Sequence, residues 1–431
     1  MNEQPYYPKV LIVNSQSMFK NNATGITLRS LFSGWPPDRV MEVCHWKNKD
    51  DVSNTLGIVS LRLPLKVMPL YYALRKLTGK ESVYGVDTAQ TAPSAAKKSG
   101  KRVFKEIAAL VRMVAEFTPI VFTERSFLKK VDDFSPDIIY TISGSVFINR
   151  FAVFFAKRYR KNIAVHYMDN WRETTYMGNR YAKIMLRMLN STVRCVENRM
   201  KKGLAISEKM AAEYAAKYQH RYEALMNCPD IETPAVANLE NKGIVIFTYA
   251  GGLHLGRAEQ LRKVSEAISG YNARAQSPQA TLLVYTSPGA KEKLAAQFDE
   301  KTTRFRDYLP HEQVHLIYAE ADVLVHIESF EKDIVGYTKY SLSTKIPEYM
   351  ASGKPILCCA PADLAVTEYI AKTKTGLAVS DGNSLREAVK ALAVDTGLRK
   401  RLGQNGVSTA KTNHSKDAAR ERMREVFLFN L

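Results

Sequence analysis

Residues 341–359 read SLSTKIPEYMASGKPILCC. Pro347 cannot lie deep inside a helix, because its ring removes a donor and clashes with the preceding turn, yet the EYMAS that follows is helix-forming. The spacing predicts a helix that begins near Ser343 or Thr344, with either hydroxyl as its cap, and stops at Gly353 before Pro355. PILCC, at 355–359, is a short continuous apolar run, as expected of a strand buried on both faces. A helix leading directly into such a strand is the repeating unit of a parallel sheet wound with helices.

The same alternation extends along most of the chain. Strand candidates in the first half are 9–14, 39–46, 137–142, 163–168 and 203–207; in the second half they are 244–250, 280–286, 314–319, 322–327, 355–359 and 376–380. Between the halves, CPDIETPAVANLENKG at 228–243 has two prolines, three acids and no periodicity, and 228–242 reads as a linker. The expected fold is α/β, with a Rossmann-like domain at 1–227, a second at 243–410, and a closing helix within 411–431 free to pack on either one.

Composition sets limits on function. With 45% apolar residues, 22 Gly and 17 Pro in 431, neither a disordered nor a collagenous chain is compatible. Lys and Arg exceed Asp and Glu by 62 to 43, a net +19 that points to nucleic acid, an anionic membrane or phosphorylated substrates. Five Cys without C-x-x-C spacing suggest neither a disulfide framework nor a zinc site, and reduced thiols fit a cytoplasmic protein. The first residues lack the pattern of a signal peptide, and the longest apolar stretch, 107–122, is broken by Arg112, Glu116 and Pro119.

About half of the basic excess falls in 60–130, which holds 14 Lys and Arg against 5 Asp and Glu. There Val103, Phe104, Ile107, Leu110, Val111, Val114 and Phe117 recur at helical spacing. With Lys97, Lys98, Lys101 and Arg102 beside them, the segment suits an interfacial element on anionic lipid, and equally an ordinary helix with a solvated basic face.

Four places suit phosphate or sugar chemistry. At 343–348 the predicted helix start leaves amides near Thr344 and Ile346 beside the Lys345 ammonium, an anion site by geometry, with Glu348 one turn inside; a capped structural helix is the competing reading. At 250–257, AGGLHLGR, Gly251 and Gly252 permit close backbone approach and Arg257 offers forked contacts to phosphate, although a tight turn explains the glycines too. Neither a dinucleotide fingerprint nor a Walker lysine is present. At 21–27 Gly25 sits in a turn after the first strand. At the carboxyl end of strand 163–168, His166, Asp169 and Asn170 occupy the usual place of functional residues in open α/β sheets, with a satisfied core histidine and a helix-capping aspartate as the alternative.

YAGGL with Arg257, ESF at 328–330, STKIPEYMASGKPI at 343–356 and DTGLRKRLGQNGVSTA at 395–410 resemble the donor domain of family 4 retaining glycosyltransferases. These enzymes have GT-B architecture, two Rossmann-like domains with parallel sheets facing an interdomain cleft. The wording of 341–356 resembles bacterial enzymes of capsular or other surface polysaccharides. The resemblance implies that Arg257 and Lys345 neutralise the departing nucleotide diphosphate, with help from the helix amides near Thr344 and Ile346, just after Ser343. It further implies that Glu348 holds the ribose hydroxyls, that Gly25 lets the first-domain loop close on the diphosphate and sugar, and that His166 touches the donor sugar; from its place alone, Asp169 could orient or deprotonate a hydroxyl. Two positions depart from the family: Tyr340 stands where a carboxylate is usual, and Gly252 where Arg is common.

The implied activity is metal-independent transfer of a hexose, with retention, from a UDP- or GDP-sugar to a glycan or polyprenyl-linked acceptor, at the inner face of the membrane. No D-x-D pair follows a strand, no further cofactor is expected, and front-face attack is the working mechanism. A non-catalytic nucleotide-sugar-binding or scaffold subunit and a nucleotide-sugar epimerase of the same fold stand as alternatives. Nucleic acid is not an expected partner, since no helix-turn-helix, RRM or zinc pattern accompanies the charge.

Overall fold

The computed structural model describes residues 5–46, 53–64, 67, 70, 72–73, 100–122, 125–229, 243–275, 277, 279–310 and 313–431. Lys97, Lys98 and most of the expected linker lie outside them. Two compact units are formed: Met1–Met226 with Ala419–Leu431, and Asn227–Ala418.

The first unit is built on seven parallel strands: β1 (Val10–Gln16), β2 (Val40–Trp46), β3 (Val59–Arg62), β4 (Ile138–Thr141), β5 (Ile163–Tyr167), β6 (Lys202–Ala205) and β7 (Arg221–Ala224). Their order is β3-β2-β1-β4-β5-β6-β7. Val10 to Val13 are fully buried, as a strand covered by helices on both faces requires. Helix Lys416–Asn430 closes this unit: Phe427 packs edge-on against Trp35 at 5.5 Å and Tyr140 at 5.9 Å, and Asn430 bonds the backbone of Lys201 and Lys202.

The second unit holds β8 (Ile244–Ala250), β9 (Gln279–Thr286), β10 (Thr303–Asp307), β11 (Val323–Ile327), β12 (Ile356–Cys359) and β13 (Gly376–Val379), parallel in the order β10-β9-β8-β11-β12-β13. One expected strand is a helix. Residues 314–319 fall in Val314–Glu320, where Val314, Ile317 and Tyr318 are buried at i, i+3 and i+4 while Leu316 is exposed. VHLIYA is apolar enough for either element, and only its three-to-four-residue burial period distinguishes them. The three strands absent from the sequence reading, β3, β7 and β10, all lie at sheet edges and carry the charges that edges favour.

Candidate functional site

Three segments meet at the carboxyl ends of the strands of the second unit: the loop after β8, the residues after β11, and helix Lys345–Ala351. Lys345 Nζ donates to the Ala250 carbonyl at 2.5 Å, reaching across the backbone of Gly251. A Cβ at Gly251 would lie 2.2 Å from that ammonium, so the glycine is what lets the lysine pass. Tyr249 closes the other side, donating from its hydroxyl to the Gly252 carbonyl at 2.7 Å, with Lys345 Nζ 5.9 Å from its ring centroid. Desolvation, helped by the Arg257 charge, pushes the Lys345 ammonium down to about 8.

Arg257 opens helix Arg257–Asn272 and spends one nitrogen on a carboxylate. Its Nη2 lies 2.9 and 3.0 Å from the two oxygens of buried Glu328, directly after β11. Burial by itself would raise the Glu328 carboxyl; Arg257 and His326 outweigh it and hold the group at about 2. His326 Nε2 stands 3.3 Å from the same carboxylate. Glu328 is thus a counter-charge within the site, and it received no role in the sequence reading. Its placement at the carboxyl end of a central strand was the available signal.

The loop between them follows a forced path. Leu255 and Gly256 both have left-handed backbone, at φ 57° and 68°, and a Cβ at Gly256 would meet Ser329 Oγ at 2.5 Å. His254 is exposed and lies over Gly252, where a Cβ would come within 2.6 Å of its Nδ1. Within AGGLHLGR no sequence signal singles His254 out; its place over Gly252 comes from the turn that follows.

The expected amide site is corrected by the local geometry. The helix does begin at Lys345, but Thr344 is itself helical, at φ −54° and ψ −22°, and its side chain caps nothing. The Lys345 amide donates to Ser343 Oγ at 3.4 Å and the Ile346 amide to the Ser343 carbonyl at 3.0 Å, while Pro347 has no N–H. The start of this helix therefore offers the Lys345 side chain, and no spare amide at Lys345 or Ile346. Glu348 is half-buried and accepts from the Tyr318 hydroxyl at 2.7 Å; burial and this carboxylate raise the Tyr318 phenol well above its ordinary range. Tyr340, at the position of the missing carboxylate, is buried beside Lys339, whose Nζ is 3.3 Å from its hydroxyl.

In the first unit, His166 is a core residue. It is fully buried, and its Nε2 lies 3.2 Å from the Leu225 carbonyl, which makes Nε2 the protonated nitrogen and Nδ1 the acceptor from Tyr140 at 2.8 Å. Burial pushes the imidazole down to about 4. With both nitrogens engaged, it presents nothing to a sugar, which corrects the expected contact. Asp169 and Asn170 lie in the turn after β5, where Asn170 accepts from the Tyr214 hydroxyl at 3.0 Å and caps no helix with its side chain. Gly25 lies in helix Ala23–Leu31, capped by Asn22, whose Oδ1 takes the Gly25 amide at 2.9 Å. A Cβ there would strike the Lys20 carbonyl at 2.1 Å, so the glycine permits the preceding loop to fold onto the helix. Buried Glu42 braces that loop, accepting from Ser17 Oγ at 3.0 Å and the Met18 amide at 2.5 Å.

Lys101 and Arg102 belong to helix Gly100–Ala115, and beyond them Ile107, Val111, Val114, Phe117 and Val121 are exposed. No helix among the described residues is long and apolar enough to cross a membrane. Among the described residues, no group of three or more His, Cys, Asp and Glu side chains is placed to hold a metal ion.

Residues 245–395 match the family model described as glycosyl transferases group 1. No curated protein matches the sequence. Solved structures match along nearly the whole chain. HepE of Anabaena, in complex with UDP and glucose, is 13% identical with a TM-score of 0.57, covering 98% of this chain and 100% of its own. The sucrose-phosphate synthase of Thermosynechococcus elongatus is 13% identical with a TM-score of 0.59, covering 97% and 98%. WaaG, a glycosyltransferase involved in lipopolysaccharide biosynthesis, is 13% identical with a TM-score of 0.53, covering 97% and 99%. The chain has the GT-B fold, two parallel α/β sheets of seven and six strands, and its residues 245–395 carry the pattern of the group 1 glycosyl transferases.

Proposed function

We propose that this protein transfers a hexose from a nucleoside diphosphate sugar to a glycan acceptor. The observation that carries the reading is the passage of Lys345 across Gly251 to the carboxyl end of β8, beside Arg257. Two cations fixed at a strand end suit a diphosphate, the charge that develops when a sugar–phosphate bond breaks. A leaving diphosphate gains several kcal/mol from cations already in place, because no reorganisation accompanies the reaction. Glu348, one turn further along the helix, suits the ribose hydroxyls. UDP is the favoured carrier, since HepE is matched in complex with UDP and glucose.

The finer reading is transfer with retention by front-face attack, without a metal, in the building of a bacterial surface polysaccharide, as the likeness to WaaG suggests. In this reading the departing phosphate oxygen accepts the proton of the attacking hydroxyl, the sugar–phosphate bond breaks and the new glycosidic bond forms on the same face. A lipid-linked acceptor brings the enzyme to the inner face of the membrane, and the exposed apolar residues Ile107, Val111 and Val114 suit the headgroup region.

Incubation with UDP- and GDP-sugars and a polyprenyl-linked acceptor tests the reaction. Glycan product with one donor supports it; nucleotide binding without turnover for any donor favours a non-catalytic subunit. Flotation on anionic liposomes that weakens with salt and with Val114→Glu supports the membrane element, and a protein that never floats removes it.

A further inference from the structure

The charge of the site is less positive than its two cations suggest. Glu328 already balances Arg257 through Nη2, and Lys345 spends a bond on the Ala250 carbonyl. Gly252 adds no side chain to the loop. What lies over the Gly252 backbone is the His254 ring, with Nδ1 and Cε1 at 2.6 and 2.7 Å from the place a Cβ would take. The loop holds that ring in place: the His254 carbonyl receives the Arg257 amide at 3.4 Å, and two successive left-handed residues, Leu255 and Gly256, turn the chain into the helix.

We propose that His254 is a diphosphate-recognising residue, which takes up a proton as the anion binds and supplies the cation that Gly252 does not. This rests on the nucleoside diphosphate reading of the same site. The groups facing His254 are Arg257 at the head of its helix, Lys345 from helix Lys345–Ala351, and Glu328 after β11. Partial desolvation by the neighbouring loop, Arg257 and Lys345 disfavour the imidazolium in the free protein, while Glu328 favours it. An arriving diphosphate reverses the balance, because its negative charge offsets both cations. The exposed ring then has a partner for a charged N–H, and a charge-assisted bond forms where the free protein has a neutral imidazole. Asn and Gln can donate an N–H but cannot take up a proton, so the histidine leaves a thermodynamic signature that a merely structural side chain does not.

The test is calorimetric titration of the full chain with UDP and with GDP at pH 6.5, in two buffers of different ionisation enthalpy. We expect the wild type to take up a fraction of a proton on binding, and His254→Gln to lose that uptake. The variant binds about tenfold more weakly at pH 6.5, and the difference shrinks towards pH 8, where less imidazole is protonated. Uptake that persists in His254→Gln, or equal affinity of the two proteins at pH 6.5, overturns the proposal while leaving the diphosphate site intact. Absence of saturable binding of either nucleotide to the wild type overturns the diphosphate reading, and His254's role with it. A melting temperature of His254→Gln equal to that of the wild type without nucleotide shows that the loss is not one of folding.

Discussion

Arg257, partly buried, and Glu328, buried, pair through a single guanidinium nitrogen, Nη2, which meets both carboxylate oxygens at 2.9 and 3.0 Å. Removing the arginine strands a buried carboxylate. Arg257→Ala should cost about 3 kcal/mol of stability, read as a lowered denaturation midpoint, and lower transferase activity at least tenfold. Glu328→Gln removes the counter-charge and keeps a hydrogen-bonding oxygen, so it should destabilise less. Equal losses in the two variants would contradict the pairing. The pair also sets an acid limit. The Glu328 carboxyl, held at about 2 in the folded protein, contributes stability that is complete above its ordinary pKa and is lost as pH falls towards 2. Glu328→Gln should flatten that part of the stability profile.

Gly251→Ala places a methyl 2.2 Å from the Lys345 ammonium. The ammonium must shift off the Ala250 carbonyl, so nucleotide affinity should fall, though less than in Lys345→Met, which should lose roughly tenfold or more. Titration with UDP measures both. A Gly251→Ala protein that binds normally would separate the glycine from the lysine.

Lys345 carries a cost in the free protein. Its folded pKa, about 8, is below the ordinary lysine value, so the folded state binds fewer protons than the unfolded one between these values, and stability rises with pH through that window. Below it, the buried charge works against folding. Lys345→Met should therefore melt at a higher temperature than the wild type at pH 7, while losing the rise in melting temperature that nucleotide gives the wild type.

His166→Phe should act on stability alone. It leaves the Tyr140 hydroxyl and the Leu225 carbonyl without their partner, at a cost of about 2 kcal/mol, while activity per folded molecule stays near that of the wild type. Because burial lowers the imidazole to about 4, its contribution is complete above the ordinary histidine value and is lost as pH falls through 4. A large fall in kcat with an unchanged denaturation midpoint would restore His166 to the site.

The residues that decided the fold were legible because their signals are local. Pro347 and Gly353 bracket one helix, and continuous apolar runs mark each central strand. The edge strands β3, β7 and β10 were not legible, since an edge has no need of an unbroken apolar run. Residues 314–319 were misread because burial period, not hydrophobicity, separates a short helix from a strand. In the site, Lys345 and Arg257 could be found from composition and turn placement. Glu328 could not be paired with Arg257 before the fold brought the ends of β8 and β11 together across 71 residues. The spare amides failed for a different reason: Ser343 consumes them through its hydroxyl and carbonyl, a detail of backbone angle that no pattern carries.

The return of residues 419–431 to the first unit bears on how the chain is made. The second unit is continuous in sequence, whereas the first includes Phe427 and Asn430, which are translated after the whole of Asn227–Ala418. Until then Trp35, Tyr140 and the backbone of Lys201 and Lys202 lack their contacts with the closing helix, so the surface it covers stays open throughout synthesis of the second unit. An N-terminal fragment ending at Met226 would remain in that state permanently, and a release of nascent chains before residue 419 would yield a folded second unit tethered to an unfinished first one.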